Sequence, residues 1–372
     1  MMRYANKYYV SVIIPVRNEC LHIEKCLSQL VKQTYPQEKF EVLVIDGMST
    51  DGTREIVERF KTQGPGTEVE GERLETKSYE MPTIRLIDNP KGQRTSALNI
   101  GIREAKGDIV MRIDGRTVVP SDYIEKCIRT LLETEADNVG GVLKPLTGST
   151  TQKAIGIALT CPFGVGNSWY RIGSKSGFVD TVYLFCSWKS LFERVGLFDE
   201  ESPVISEDSD INQRIRKAGG KVYLKKEIVA YYYPRNNFKD LRKLYFRYGG
   251  AKAGNLIKRR KLTAWRQVVP PAFLLILVTL PVLGIFNKFS FYLWLLITGS
   301  YIITDTVVSL YLSFDLKSST LNKKDRTSNI EPSKLSLFWR LFMVFPTMHF
   351  SWALGFWRRL LQRPKAGDYW GY

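Results

Sequence analysis

Histidine is scarce in this chain, since only His22 and His349 occur among its 372 residues. Because imidazole is the commonest protein ligand of catalytic zinc, this scarcity excludes a histidine-rich metal site and the motifs of metal hydrolases. The five cysteines are scattered, odd in number and without metal-ligand spacing. They are typical of reduced core thiols in a cytosolic compartment.

The pattern of a secretory signal peptide is also missing. The first apolar run, 8–16, is short, ends at Arg17, Asn18 and Glu19, and is followed by no small-residue cleavage site. We therefore expect the soluble part of the protein to lie in the cytoplasm.

Acidic residues are rare in one segment of a chain whose net charge is +17. Residues 235–266 contain eleven Lys or Arg and a single acid, Asp240. Such an excess suits a nucleic acid, an anionic substrate or a membrane surface. Since this segment directly precedes a long apolar run, it predicts the cytoplasmic side of a membrane, facing anionic lipids. We expect no nucleic-acid partner, because nucleic-acid readers usually carry their charge within a module that exposes stacking aromatics.

Two apolar runs follow the basic segment. Residues 268–286 are nineteen uncharged residues, and as a helix they reach about 28 Å, close to the roughly 30 Å of a bilayer core. Residues 289–314 form the second run, interrupted by Asp305. These runs predict two transmembrane helices.

The aromatic run 335–357 contains Arg340, Pro346 and His349 and suits an interfacial or re-entrant helix better than a clean span. Basic residues follow it, which favours a cytoplasmic C-terminal end. The chain is therefore expected to comprise a globular domain at 1–235, basic juxtamembrane helices at 236–267, two spans at 268–314, and a cytoplasmic loop, helix and basic tail at 315–372.

Before residue 115, strand-like and helix-like patterns alternate. Short apolar, β-branched runs predict buried strands at 9–15, 41–46, 84–87 and 109–113, and helical spacing predicts helices after the first three. This alternation predicts an α/β fold with a mostly parallel sheet, in which ligands bind beyond the carboxyl ends of the strands. The polar segments expected to converge there are 18–19, 46–53, 88–94 and 114–116.

An acid at the tip of the fourth strand, Asp114, is well placed to hold a divalent cation. Many enzymes that bind nucleotide sugars carry a second acid two residues later, but this chain has Arg116. Arginine stays protonated and cannot ligate a metal. It either contacts a phosphate directly or pairs with a nearby acid.

Several segments together resemble the GT-A-fold family 2 glycosyltransferases, and they frame roughly residues 8–235. Further segments are similar to the succinoglycan-synthesis (ExoA-like) branch of that family. The family-level segments are 10–19, 44–53, 89–101, 107–115 and 204–214, and the branch-level segments are 179–183, 245–249 and 349–355.

The resemblance implies a nucleotide-sugar donor site, with a UDP-sugar as the expected donor. Asp46 would contact the nucleoside, or else cap the turn that follows it. Glu19 would hydrogen-bond the same nucleoside or cap a helix. Lys91 lies near the diphosphate site or is a solvated loop residue. The implied donor-binding residues are Pro15, Glu19, Asp46, Arg94, Asp114, Arg116 and Arg247, with Asp114 holding Mg²⁺ or Mn²⁺.

The resemblance also implies the chemistry. Asp208 would act as the general base at the start of a helix capped by Ser206, with Glu207 positioning it, although two helix-capping acids would give the same pattern. Asp180, Trp188 and Tyr248 are expected to bind the acceptor, though tryptophan is more often a core residue.

Arg247 matches the Gln-x-x-Arg-Trp signature of processive relatives, but Leu244 and Tyr248 replace its Gln and Trp. The loss of these two residues favours addition of a single sugar over polymer extrusion.

The expected reaction is therefore inverting transfer of a sugar to a polyprenyl diphosphate-linked saccharide at a bacterial-type inner membrane, by a multi-pass protein with a cytoplasmic catalytic domain. A polyprenyl-phosphate glycosyltransferase and a catalytically weak membrane scaffold remain alternatives.

Overall fold

The structure is a computed structural model that describes residues 7–65, 68–69, 72–73, 81–200, 207–259, 265–314 and 333–362. It divides into two compact units, Met1–Leu143 with Gly173–Tyr232, and Lys144–Ile172 with Tyr233–Tyr372. Three features expected from the sequence lie outside the described residues: the Ser206 cap, the loop at 315–332 and the basic tail at 363–372.

The first unit is built on a nine-stranded sheet. Its parallel half has four strands: β1 (Val10–Val16), β2 (Phe40–Asp46), β5 (Thr83–Asp88) and β6 (Ile109–Arg112). The apolar residues of β1, β2 and β6 are almost all buried, whereas those of the edge strand β5 are half-buried. The other strands, two of which (β3 and β4) pair apart from the main sheet, are β3 (Glu68–Val69), β4 (Glu72–Arg73), β7 (Thr117–Val118), β8 (Asn138–Pro145), β9 (Gly177–Phe178), β10 (Cys186–Trp188) and β11 (Val222–Tyr232).

The helices of this unit follow the strands in the predicted alternation. Helix α3 packs on β1 and β2, and α4 packs on β10 and β11. Their bounds are α1 (Ile23–Val31), α2 (Thr53–Gln63), α3 (Arg94–Glu104), α4 (Tyr123–Thr134), α8 (Leu191–Val195) and α9 (Glu207–Lys217).

The strand order is β5-β2-β1-β6-β10-β8-β11-β7, with β9 paired to β11. β5, β2, β1 and β6 are parallel, which confirms the alternation predicted for residues 9–113. β10 runs antiparallel to β6 and β8, and β11 runs antiparallel to β7 and β9, so the sheet as a whole is mixed.

The parallel register aligns the carboxyl ends of the four core strands. Val16 lies opposite Asp46, and Asp46 lies opposite Asp88. In β6, Arg112 lies opposite Ile13, and Asp114 follows two residues later. The predicted convergence of strand ends at one edge is confirmed.

The second unit is helical. Its helices are α5 (Thr150–Ala158), α6 (Pro162–Val165), α7 (Trp169–Ile172), α10 (Phe238–Arg259), α11 (Val269–Gly284), α12 (Lys288–Phe314) and α13 (Lys334–Leu361). Helices α10 and α13 pack closely: a Cβ at Gly249 would overlap the Trp352 carbonyl, and one at Gly355 would overlap the Phe246 carbonyl. Glycine at both positions lets the two backbones approach.

Within the part of the chain that the structure describes, α12 is the one helix long and apolar enough to cross a membrane, and α11 is a shorter apolar helix. The last helix, α13, runs without a break through Pro346, and its interfacial or re-entrant placement stays a prediction.

In helix α12 the buried side chains are polar and many of the exposed side chains are apolar. Its polar residues Asp305, Ser309 and Ser313 are buried, whereas apolar residues such as Ile303 and Leu296 are exposed. Polar groups that face protein while apolar groups face outward are typical of a helix in lipid.

Candidate active site

The end of β6 carries a guanidinium surrounded by acids. Arg112 is fully buried, and its Nε donates to Asp114 Oδ1 at 2.7 Å while its Nη2 donates to Asp114 Oδ2 at 3.2 Å. Its Nη1 donates to Asp208 Oδ1 at 2.8 Å and to Glu207 Oε1 at 3.3 Å. We call Arg112, Asp114, Glu207 and Asp208 the β6 cluster.

Helix α9 brings the last two acids to this point. Glu207 and Asp208 open the helix, where the positive end of the helix dipole favours carboxylates. Asn212, one turn later, donates to the Thr181 hydroxyl at 3.1 Å and to the Val182 carbonyl at 3.1 Å, which holds the helix start against the segment before Tyr183.

Two further side chains contact the β6 cluster. Arg94, the first residue of α3, donates to Glu207 Oε1 at 3.3 Å and keeps 37% of its side chain exposed. The Tyr183 hydroxyl donates to Asp114 Oδ2. Arg94 is therefore the guanidinium of the site that reaches the surface.

The two aspartates of the cluster differ in acidity. Burial alone would raise the pKa of Asp114, but the charges of Arg112 and Arg94 and the hydrogen bonds from Arg112 and Tyr183 outweigh it and bring this pKa to about 2. For Asp208, burial is the largest cause and raises the pKa well above its ordinary value. The charges of Glu207 and Asp114 add to that rise, and Arg112 opposes it. The pKa of Asp114 is thus lowered and that of Asp208 raised by their different surroundings.

A second group of acids and arginine lies at the ends of β2 and β5. Asp46 is fully buried; its Oδ1 accepts from the Ser49 hydroxyl at 2.5 Å, and its Oδ2 accepts from the Ser49 amide at 3.0 Å and from Arg54 at 2.8 Å. Arg54 also contacts Asp88 at 2.8 Å and is one-third exposed (33%). We call Asp46, Arg54 and Asp88 the β2 cluster. Asp46 forms the turn contacts of one of its two predicted roles, and Arg54 is a partly exposed guanidinium beside it.

Arg116 pairs with an acid distant in sequence. It donates to Glu19 through both Nε, at 3.1 Å, and Nη2. This is the ion pair that was one of the two expectations for Arg116. The preceding residue, Gly115, has no room for a side chain, because a Cβ there would lie 2.7 Å from Val16 Cγ1.

The other predicted site residues of the first unit are placed as follows. Pro15 lies within β1, half-buried, and Asp180 lies half-buried shortly before Tyr183. Lys91 is exposed and contacts Glu200 at 2.6 Å. Their roles stay predictions.

Trp188 lies away from the β6 cluster, and its acceptor role stays a prediction. Trp188 pairs with Ile109 at the start of β6, where its ring packs on Tyr8 with centroids 5.0 Å apart. Because β10 runs antiparallel to β6, Trp188 lies at the strand end opposite to Asp114. The sequence showed no signal for this reversal.

Arg247 and Tyr248 belong to α10 in the second unit. Arg247 is exposed, and the Tyr248 ring contacts those of Tyr245 and Trp352 at centroid distances of 5.6 and 6.2 Å. Their donor and acceptor roles stay predictions.

Sequence reasoning missed Arg112, Tyr183 and Arg54. Arg112 carried a usable signal, because a charge inside the apolar run Ile-Val-Met-Arg-Ile requires buried partners of opposite charge. Arg54 and Tyr183 stand in patterns that many surface residues share, and their contacts depend on tertiary structure.

The site offers one protein ligand for a divalent cation, the carboxylate of Asp114. Among the described residues, no three His, Cys, Asp or Glu side chains form a metal-binding group. Asp114 Oδ2 accepts two hydrogen bonds, but Oδ1 accepts one and keeps a lone pair. One carboxylate oxygen suits a cation whose other ligands are phosphate oxygens and water.

Comparisons with known proteins agree with this geometry. The family model described as Glycosyl transferase family 2 matches residues 11–177, and that described as Glycosyl transferase family group 2 matches residues 109–358. The chain is 32% identical over 263 residues to the succinoglycan biosynthesis protein ExoA of Rhizobium meliloti (strain 1021), covering 70% of this chain and 74% of that protein.

A second relative, from Methanococcus voltae, is the dolichyl N-acetyl-alpha-D-glucosaminyl phosphate 3-beta-D-2,3-diacetamido-2,3-dideoxy-beta-D-glucuronosyltransferase. It is 27% identical over 316 residues, covering 83% of this chain and 92% of that protein.

Among solved structures, the mannosyltransferase PcManGT from Pyrobaculum calidifontis, in complex with GDP-Man and Mn²⁺, has a TM-score of 0.54 at 18% sequence identity. The match covers 95% of this chain and 87% of that one, and at this identity it establishes the fold alone. The expected GT-A fold is confirmed. The chain belongs to glycosyl transferase family 2, and the protein is a glycosyltransferase.

Proposed function

We propose that this enzyme transfers a sugar from a nucleotide-sugar donor, a UDP-sugar as the first candidate, to a hydroxyl of a lipid-linked saccharide during cell-surface polysaccharide synthesis. The observation that carries the proposal is the β6 cluster, in which one guanidinium contacts both Asp114 and Asp208. In a single displacement, an acid that serves the donor diphosphate and an acid that serves as base act at the same reacting centre.

The donor is proposed to bind along the aligned strand ends. The nucleoside lies near Asp46 and Arg54 and next to Glu19, with Pro15 in the strand beneath. The diphosphate lies near Arg94 and Arg116, whose guanidinium groups suit phosphate oxygens. Arg94 keeps more than a third of its side chain exposed (37%) and is the nearest such group to the acids.

Asp114 Oδ1 would hold Mg²⁺ or Mn²⁺. When bound, the cation supplies positive charge that stabilises the departing diphosphate. The mannosyltransferase of the same fold was solved with Mn²⁺. The low pKa of Asp114, about 2, keeps this carboxylate ionised for that task.

The chemistry falls to Asp208. Its carboxylate removes the proton of the acceptor hydroxyl as that oxygen bonds to the anomeric carbon of the donor. The bond between that carbon and the diphosphate oxygen breaks, and the nucleoside diphosphate leaves with the electron pair. One displacement inverts the anomeric centre, so an α-linked donor yields a β-linked product. Glu207 positions Asp208, and Arg247 is proposed to stabilise the leaving diphosphate.

The lipid-linked acceptor is supported by the relatives and by the second unit. ExoA acts in succinoglycan biosynthesis, and the archaeal relative is named for a dolichyl-linked acceptor. In this chain the buried residues of α12 are the polar Asp305, Ser309 and Ser313, and many of its apolar residues are exposed. We propose that α11 and α12 enter the inner membrane, that the basic segment 235–266 faces anionic lipids, and that Asp180 helps to hold the acceptor.

A donor screen on membranes containing the full-length protein tests the function. Radiolabelled UDP- and GDP-sugars are supplied, and the label is followed into organic-extractable lipid, with Asp208→Asn as the matched inactive variant. Label in a lipid-linked saccharide that depends on Asp208 supports the proposal. Label linked directly to a lipid monophosphate indicates a polyprenyl-phosphate glycosyltransferase instead. No transfer from any donor supports the scaffold alternative.

A further inference from the structure

Arg112 has no role in the reaction as proposed so far, yet its burial demands one. It ends β6 with no exposed surface and is among the largest fully buried side chains in the described part of the chain. A guanidinium removed from water is costly unless acceptors pair with its N–H groups. Three carboxylates do so here, and all three belong to the β6 cluster.

The nitrogen atoms of the Arg112 guanidinium contact different acids on its two sides. Nε and Nη2 face the two oxygens of Asp114, at 2.7 and 3.2 Å. Nη1 faces Asp208 at 2.8 Å and Glu207 at 3.3 Å. Asp114 follows a strand and Asp208 opens a helix, and 96 residues separate Arg112 from Asp208. One rigid planar group therefore sets the separation of two acids that no local structure joins.

Arg94 shows the difference between a ligand-binding and a confined arginine. Its side chain is 37% exposed and it contacts Glu207, so it can turn toward a diphosphate. The Arg112 side chain is 0% exposed, and its Tyr183 neighbour lies against it with the ring centroid 5.3 Å from Cζ. Arg112 is thus confined to the acids.

We propose that Arg112 is a positioning residue that holds the donor-side acid Asp114 and the base Asp208 at a fixed separation. The acceptor hydroxyl then meets the base while its oxygen faces the donor carbon. This inference rests on the function proposed above. Lysine cannot replace Arg112, because an ammonium group lacks the planar fork that contacts acids on two sides.

The test compares Arg112→Lys with a matched control, Arg85→Lys, in the full-length protein. Arg85 also joins two acids, Glu41 at 3.6 Å and Glu104 at 2.5 Å. For Arg112→Lys we expect kcat to fall about 100-fold while donor KM and UDP binding with Mn²⁺ change less than about 3-fold, because small misplacements of reacting groups cost rate. Arg85→Lys is expected to keep kcat and KM within about 3-fold, since neither acid is near the reaction.

A double-variant cycle separates positioning from general damage. If Arg112 acts through the base, Arg112→Lys lowers kcat less than about 3-fold in the Asp208→Asn background, because coupled residues are not additive. An equal loss in both backgrounds, or wild-type kcat in Arg112→Lys, overturns the inference while leaving the proposed function intact. A wild-type protein that uses no donor refutes the function itself.

Folding is checked by the thermal unfolding transition of each variant. Should Arg112→Lys fail to fold, the same cycle is run with Arg112→Lys combined with Glu207→Gln, which removes one uncompensated acid. If that form is also unfolded, Arg112 is a residue of the folding core and the inference is overturned.

Discussion

The β2 cluster and the β6 cluster are both arginine–carboxylate groups at strand ends, but they differ in the burial of the arginine. In the β2 cluster Arg54 is one-third exposed, with one partner, Asp46, fully buried and the other, Asp88, 57% exposed. In the β6 cluster the arginine is fully buried and binds three acids, each at most 15% exposed. The first arrangement leaves a guanidinium partly open to a ligand. The second confines the guanidinium to its acids and so fixes their positions, which acid–base and cation chemistry needs.

The strongest test of this comparison removes the proposed base. Asp208→Asn should lower kcat by about 10³-fold, because proton removal by a positioned base contributes about 10²–10⁴-fold. Binding of UDP with Mn²⁺, measured by calorimetry, should be unchanged.

The matched control for this variant is Asp210→Asn in the same helix, where Asp210 pairs with Arg214 at 3.3 Å. We expect its kcat to stay within about 3-fold, because this pair is a helix ion pair. Equal losses in the two variants would contradict the assignment of Asp208.

Cation removal tests the donor side of the β6 cluster. Excess EDTA should lower transfer by about 10²-fold, since the cation supplies several kcal/mol of charge stabilisation. Added Mn²⁺ should restore it.

Tyr183→Phe removes one hydrogen bond from Asp114 and should raise the Mn²⁺ concentration for half-maximal UDP binding about 10-fold. Full activity in excess EDTA would show that the arginines alone neutralise the diphosphate.

The β2 cluster should respond in binding rather than in rate. Arg54→Ala leaves Asp46 buried without its cation and removes the exposed donor, so donor KM should rise about 10-fold while kcat stays within about 3-fold. Steady-state kinetics over a range of donor concentrations measures both. A fall in kcat at unchanged KM would show that Arg54 acts in the chemical step. The β2 cluster would then not differ from the β6 cluster in the way proposed.

The smallest effect concerns pH. Asp208 must lose its proton to act as the base, and burial raises its pKa. We therefore expect kcat/KM to rise with pH, and the midpoint of this rise (the acid limb of the profile) to lie well above the ordinary pKa of an aspartate. Glu207→Gln removes a charge that raises this pKa, so the limb should move to lower pH. Profiles of kcat/KM from about pH 5 to pH 9 measure both. An unchanged limb in the variant would argue that another group titrates.

The parallel half of the sheet was predictable almost residue by residue. β1, β2, β5 and β6 are short apolar runs that end in polar residues, so their bounds and the alignment of their ends follow from pattern and register. Asp114, Glu207 and Asp208 were predicted as site residues from the resemblance, and the structure brings them within reach of one guanidinium.

The misses share one cause, which is pairing between distant segments. The position of Trp188 was not predictable, because the antiparallel direction of β10 depends on the strands on either side of it. Residues 144–172 were expected within the globular domain, but they cluster with the C-terminal helices. Neither the direction of a strand nor the compact unit to which a segment belongs leaves a local periodic signal in the sequence.

Hydrophobic periodicity and strand-end polar residues were enough to indicate an α/β fold and the ligand edge of its sheet, and the resemblance of several segments to one family implied the reaction class. Only the tertiary structure decided which groups touch: that Arg112 joins Asp114 to Asp208, that Arg116 pairs with Glu19, and that Asp46 is shielded by Ser49 and Arg54. The reason is physical. Burial and periodicity are local properties of a chain, whereas the pairing of buried charges is settled by the long-range packing that brings their partners together.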